Sequence, residues 1–76
     1  MHIYGYAKDR PIETVVPELL AEITLNASPG ELRAMSKFLR DCADEMDRMG
    51  SEYDHVHLSD RMREFEASPH FVVVRG

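Results

Sequence analysis

One stretch of the chain, residues 28–50, carries both the start and the stop signals of a long helix. It reads SPGELRAMSKFLRDCADEMDRMG. Ser28 suits the N-cap, Pro29 suits the first helical position, and Glu31 lies where the partner of a capping box belongs. Gly50 suits the residue that ends a helix. The sequence therefore predicts one long helix that stops just before Gly50, and the rest of a 76-residue chain must cover its apolar side.

The predicted helix has a single apolar face. Apolar residues recur at steps of three and four, as on a helix that packs against a sheet. The stripe consists of Leu32, Met35, Leu39, Cys42, Met46 and Met49, flanked by Phe38 and Ala43. Cys42 is the only cysteine and lies within this stripe, so it is predicted to be a buried structural thiol. A lone cysteine also excludes an internal disulfide and a paired-cysteine zinc motif.

Four segments around the helix are predicted to be β-strands, at residues 2–7, 19–27, 55–59 and 70–75. The first is short and aromatic, and the next two alternate between apolar and polar side chains, as strands with one buried face do. The last is continuously apolar, which favours a strand covered on both faces. The first two are expected to pair as a hairpin around a loop at 8–17, with an extended piece at 12–16. Residues 60–67 are predicted to form one helical turn.

The predicted fold class is therefore α+β, in the order ββαββ. Four strands would form a mainly antiparallel sheet with the long helix packed on one face. The length predicts a single small domain spanning residues 1–76. Such a chain buries only about 60% of the surface that its unfolded form exposes. A homodimer or a protein partner would cover apolar surface that the chain itself leaves open.

Nothing at the N-terminus has the apolar core of a signal peptide, and no run of about 18 apolar residues occurs. With the lone thiol, this predicts a cytoplasmic protein. The net charge of −5 lies entirely between Asp41 and Asp54, where six acidic residues accompany one basic residue. An acidic field of this kind disfavours nucleic acid and anionic membranes as partners and favours a basic protein.

Four of these acidic residues lie in the last turns of the helix, where the macrodipole prefers cations. No compensating cations are visible nearby in the sequence except Arg48. Such a departure from a local rule suggests selection for binding. The alternative is that an acidic helix end serves solubility. The four residues are Asp41, Asp44, Glu45 and Asp47.

The stretch EYDHVHLSD contains two histidines, His55 and His57, on one face of a predicted strand. Both could reach one metal ion, but zinc takes three or four ligands. The others would have to come from His2, His70, Asp54 or Asp60. We favour exposed imidazoles that meet water or a protein, and we expect no metal site. No nucleophile motif or phosphate-binding glycine loop occurs, so no enzyme is expected. A histidine-based metal protein or enzyme and a dimeric structural or regulatory module remain the alternatives.

The order of the motifs resembles the immunity protein 32 family, small bacterial proteins associated with polymorphic toxin systems. The similarity covers nearly the whole chain apart from the loop at 8–17. It is carried by HIYGY, LLAEITLNASPGELRAMSKFLRDCADEMD, DHVHLSD and the terminal FVVV. The resemblance implies a non-catalytic cytoplasmic protein that binds a cognate toxin and blocks it by occlusion, without a cofactor.

Charge placement indicates which residues would contact such a toxin. Many toxin domains act on nucleic acid and are basic, so an acidic face would attract them. We expect contacts from Asp41, Asp44, Glu45, Asp47 and Asp54, with Tyr53, His55 and His57 beside them. Tyrosine is favoured at interface hot spots. Tyr53 is therefore expected to anchor the patch, so that alanine there would weaken binding and leave the fold intact.

Overall fold

The structure, a computed structural model, describes residues 1–11, 13 and 15–76. Its regular elements are β1 (Tyr4–Gly5), β2 (Glu18–Leu19), α1 (Pro29–Met49), β3 (His55–His57), α2 (Leu58–Arg61) and β4 (Val72–Val74). Short 3-10 turns follow α1 at Gly50–Glu52 and α2 at Arg63–Phe65. The predicted α+β class is confirmed. Among the described residues, none of the helices has the length and apolarity needed to cross a membrane.

Helix α1 begins and ends where the sequence predicts. The backbone N–H of Glu31 donates to Ser28 Oγ at 3.1 Å, and the Ser28 N–H donates to the Glu31 carboxylate at 2.8 Å. This capping box satisfies two free donors of the first turn, and the Ser28 backbone N–H is the main cause that lowers the pKa of the Glu31 carboxyl. Gly50 ends the helix with φ +56°, a backbone conformation that favours glycine.

The core lies between α1 and the C-terminal part of the chain. Its buried members are Met35, Phe38, Cys42, Leu58 and Phe65. The Phe38 ring meets the edge of the Phe71 ring, with centroids 6.5 Å apart and an interplanar angle of 73°. The prediction that Cys42 is a buried thiol is confirmed. Phe65 reaches the core because a 3-10 turn follows α2.

The strands form two antiparallel pairs where one four-stranded sheet was expected. Strand β1 pairs with β2, with Tyr4 opposite Leu19, and β3 pairs with β4, with Val56 opposite Val73. The two pairs share no ladder among the described residues. The predicted hairpin between the first two strands is confirmed, although it is short. Of the extended piece predicted at 12–16, Ile12 and Thr14 lie outside the described residues.

The largest difference from the prediction concerns residues 19–27. Only Leu19 lies in a strand, while Ile23 and Leu25 are 44% and 51% exposed. An alternating segment buries its apolar face only where a neighbour covers it, and this segment has no ladder partner in the described part of the chain. On α1 the buried stripe consequently runs through Met35, Phe38 and Cys42. The other members of the predicted stripe that stay exposed are Leu32, Leu39 and Met49.

The C-terminal strands also differ from the expected arrangement. In β3, Val56 packs against the core, in agreement with the predicted alternation, and Leu58, now the first residue of α2, is buried. The helical turn predicted at 60–67 thus begins earlier, at the end of the predicted strand. In β4 only Val73 packs against the core, while Val72 and Val74 are exposed. This strand is therefore covered on one face, not on both.

Candidate functional site

The acidic residues of the predicted site lie along the C-terminal half of α1. Asp44 and Asp47 are exposed, and neither forms an ion pair with another described residue. Residues three apart are neighbours on a helix surface. The two side chains therefore present adjacent free carboxylates on a rigid element.

Glu45 has a different environment, because Arg61 of α2 holds it. Arg61 Nη1 and Nη2 donate to the two carboxylate oxygens at 2.9 and 2.8 Å, a bidentate pair. Arg48 Nη2 lies 3.9 Å from the same carboxylate. The hydrogen bonds from Arg61 lower the pKa of the Glu45 carboxyl, and Glu45 in turn raises the pKa of Arg61. Because the Glu45 side chain is only 16% exposed, its main role is to tie α2 to α1.

An open depression of about 360 Å³ surrounds this ion pair. It is lined by Asp41, Asp44, Glu45, Arg48 and Arg61. Asp41 is itself paired, since Lys37 Nζ lies 2.8 Å from its carboxylate. Three carboxylates thus share the depression with two guanidinium groups. The negative electrostatic field there is therefore weaker than the number of acidic residues at 41–54 indicates. No local pattern pointed to Arg61, which lies sixteen positions from Glu45 and meets it only because α2 folds back.

The end of α1 receives a second cation from a distant part of the chain. Arg75 Nη1 donates to the carbonyl oxygen of Met46 at 3.2 Å. A cation at this end of a helix interacts favourably with the macrodipole. Arg61 and Arg75 therefore compensate in part for the acidic helix end, which the sequence alone presented as uncompensated.

Tyr53 lies in the interior and not on the acidic surface. Its side chain is buried, with the residue 6% exposed, and its hydroxyl donates to the carbonyl oxygen of Val73 at 3.0 Å. Burial, assisted by the neighbouring Cys42, raises the pKa of Tyr53 to about 12. The expectation that Tyr53 anchors a partner does not agree with this placement. That expectation rested on the preference of interfaces for tyrosine, whereas the fold buries this side chain.

The histidines form a row beside the second strand pair. The His55 and His57 ring centroids are 5.2 Å apart, and those of His57 and His70 are 5.6 Å apart. His55 Nδ1 lies 2.7 Å from the exposed carboxylate of Asp54. The fourth histidine, His2, lies near Tyr4 instead. Among the described residues, no three or more His, Cys, Asp or Glu side chains are arranged to hold a metal ion.

Removal of the Arg61 guanidinium is expected to raise the pKa of Glu45 towards its ordinary value of 4.5, because the Arg61 hydrogen bonds are the largest cause that lowers this pKa. A carboxyl with a depressed pKa stabilises the fold above its unfolded pKa, and that contribution is lost as the pH falls through the folded pKa. Arg61→Met should therefore lose less stability on acidification below pH 4.5 than the wild type does. The Glu45 carboxyl carbon, titrated by NMR, gives its pKa directly.

Arg63→Met is the matched control for this titration. Arg63 lies 3.8 Å from Glu66, and both side chains are largely exposed. This variant removes the same charge without touching Glu45. A Glu45 pKa that stays low in Arg61→Met, or that rises equally in Arg63→Met, would contradict the assigned role of Arg61.

Comparison with known proteins identifies the family. The model of the family described as immunity protein 32 matches residues 22–76. This span runs from the segment before α1 through β4 and includes the acidic helix end and the histidine row. Curated proteins and solved structures give no match to the chain. Since the matched span covers well over half of the chain, the resemblance seen in the motif order is confirmed, and the chain belongs to the immunity protein 32 family.

Proposed function

We propose that this protein is a non-catalytic immunity protein that binds a cognate toxin in the cytoplasm and neutralises it by occlusion. Membership of the family supports the general role. One observation carries the choice of surface: Asp44 and Asp47 are adjacent, exposed and without ion-pair partners among the described residues. Carboxylates that the fold leaves unpaired are available to the cations of a partner.

The proposed toxin presents a basic surface to this side of α1. Charges at the rim of an interface mainly steer association and set its salt dependence. The bidentate Glu45–Arg61 pair holds the helix and α2 in one arrangement, so the free carboxylates approach the partner on a fixed scaffold. No covalent chemistry is required of this chain, and no cofactor enters the proposal.

The contact residues we propose are Asp41, Asp44, Asp47, Asp54, His55 and His57. Asp54 and His55 are exposed beside the start of β3, and His57 is half-buried. Glu45 acts as a positioning residue through Arg61, since its side chain has little surface left. Tyr53 acts from the interior by holding the segment after α1 against β4.

The double variant Asp44→Asn/Asp47→Asn is expected to associate with the toxin about tenfold more slowly at low salt, because two steering charges are lost. The difference should shrink at high salt, where screening weakens the wild type as well. The toxin would first be identified as the stoichiometric partner of the tagged protein among the products of neighbouring reading frames. Stopped-flow association over a range of salt concentrations then measures the effect.

The matched control is Asp9→Asn/Glu64→Gln. It changes the net charge equally at two exposed acidic residues that lie neither in α1 nor in the lining of the depression. It should bind as the wild type does. Equal slowing in both double variants would show a non-specific effect of net charge and would remove the α1 surface from the site. A bound partner that is harmless when expressed alone would contradict the immunity function itself.

A further inference from the structure

A broad apolar groove separates the segment before α1 from β4. Ile23 and Leu25 line one part of it, Leu39 of α1 another, and Val72 and Val74 a third. Its volume is about 1690 Å³, well above the roughly 300–1,000 Å³ of a small-molecule pocket. It shares no lining residue with the acidic depression. Its size and apolar lining fit a protein segment better than a small ligand.

The chain exposes more surface than a compact monomer of its mass. The accessible surface is 6522 Å² for a mass of 8.7 kDa, whereas a folded monomer of this mass exposes about 4,700 Å². The radius of gyration is 13.5 Å, against about 11.4 Å for a compact chain of this length. The excess of about 1,800 Å² per chain exceeds the roughly 800 Å² that each partner loses in an interface of standard size. Two chains that each buried it would lose about 3,600 Å² in total, within the roughly 2,000–5,000 Å² of obligate homodimers.

The groove also brings together two unsatisfied parts of a β-sheet. Residues 21–27 form no backbone hydrogen bond in the described part of the chain, although their side chains alternate as in a strand. Among the described residues, strand β4 pairs with β3 along one edge only. An open edge is a template for another strand. Each chain therefore supplies one unpaired strand-like segment and one free edge.

We propose that a second copy of this chain fills the groove. Residues 21–27 of one copy lie along the free edge of β4 of the other, and the exchange is reciprocal around a two-fold axis. Ile23 and Leu25 are then covered, and so are Val72 and Val74. In the dimer the apolar face that the alternation at 19–27 predicts is buried, and β4 is covered on both faces. In the single chain neither is the case.

Two arguments favour a second copy over the toxin as the occupant of the groove: the charges of its lining, and the constant presence of other copies of the chain. The charged residues that line the groove are Lys8, Glu22, Glu31 and Arg75, two of each sign. The groove therefore has no preference for a basic partner. An apolar face and a strand edge left open until a toxin arrived would also promote aggregation. A second copy is present whenever the chain is made.

The first test is the mass of the 76-residue chain in solution, without any toxin. Size-exclusion chromatography with light scattering at low micromolar concentration should give the mass of two 8.7 kDa chains. Leu25→Lys places a charge in the groove and should reduce the mass to that of one chain. The matched control is Leu19→Lys, at a similarly exposed leucine that does not line the groove, and it should remain dimeric. A monomeric wild type, or a dimer that survives Leu25→Lys, would overturn the proposal.

A second test keeps the proposal decidable if Leu25→Lys does not fold. Leu25→Cys and Val72→Cys are prepared separately, mixed and oxidised; the native Cys42 is buried and does not compete. A covalent dimer that joins one chain of each variant supports the exchange, and Leu19→Cys in place of Leu25→Cys should give none. No mixed covalent dimer, or an internal disulfide in the double variant Leu25→Cys/Val72→Cys, would overturn it. Either result leaves the toxin-binding proposal to its own experiment.

Discussion

Phe38→Ala is expected to destabilise the fold by about 3–5 kcal/mol. The residue is 1% exposed and packs against Phe71 at the centre of the core. Its loss removes apolar burial and leaves a cavity that few neighbours can fill. A domain of this length has a total stability of about 4–11 kcal/mol. The variant should therefore be largely unfolded, or unfold at much lower denaturant concentration, in urea titrations followed by circular dichroism.

Leu32→Ala is the control for this measurement. The sequence pattern places Leu32 in the apolar stripe and Phe38 beside it, but in the structure Leu32 is exposed and does not line the groove. Its replacement should cost well under 1 kcal/mol, as surface substitutions do. Both variants should be compared with the wild type at one protein concentration, because association would make stability depend on concentration. Similar losses of stability for the two variants would mean that Leu32 belongs to the core, as the predicted stripe has it.

The helix and its ends could be predicted because their signals are local. The capping box joins Ser28 and Glu31, three residues apart, and Gly50 ends the helix by its own backbone freedom. Both effects operate within one turn of the chain. The α+β class followed as well, since alternation and continuous apolar runs mark strands before any pairing is known.

What the sequence could not show depends on contacts between distant residues. Arg61 reaches Glu45, and Arg75 reaches the carbonyl of Met46, only after the chain has turned back on itself. Neither pair has a spacing that a helical or strand period would reveal. Because both contacts bring an arginine to the end of α1, the local negative charge there is smaller than the sequence indicates. Of the five acidic residues proposed as contacts from the sequence, Glu45 is therefore held by Arg61, and only Asp44 and Asp47 have no ion-pair partner among the described residues.

The strand predicted at 19–27 shows a different limit. Alternation indicates that one face is to be covered, but it does not say which chain covers it. In the single chain Ile23 and Leu25 remain about half exposed, and one edge of β4 has no strand partner in the part of the chain that the structure describes. If the proposed dimer forms, the strand pattern was informative and only the assumption of an internal partner was wrong.

Tyr53→Ala is expected to lower the free energy of unfolding by about 3–5 kcal/mol, as Phe38→Ala does, because a buried ring and its hydrogen bond are both removed. Tyr53→Phe keeps the ring and removes only the donor to the carbonyl of Val73, which should cost about 1–2 kcal/mol. The order of the three unfolding midpoints measures the two contributions separately. Toxin binding by the folded fraction of Tyr53→Phe should match that of the wild type. Weaker binding by this variant at unchanged stability would instead place the Tyr53 hydroxyl at the interface.

Alkaline unfolding gives an independent measure of the same residue. Burial raises the pKa of Tyr53 from 10.0 to about 12, so the unfolded chain releases this proton more readily than the folded one. The stability that this difference represents is present below pH 10 and is lost as the pH rises towards 12. Tyr53→Phe carries no such proton, so its stability should fall less steeply than that of the wild type over this range. Parallel pH profiles for the two proteins would mean that Tyr53 is not held in the interior, and would restore it to the candidate surface.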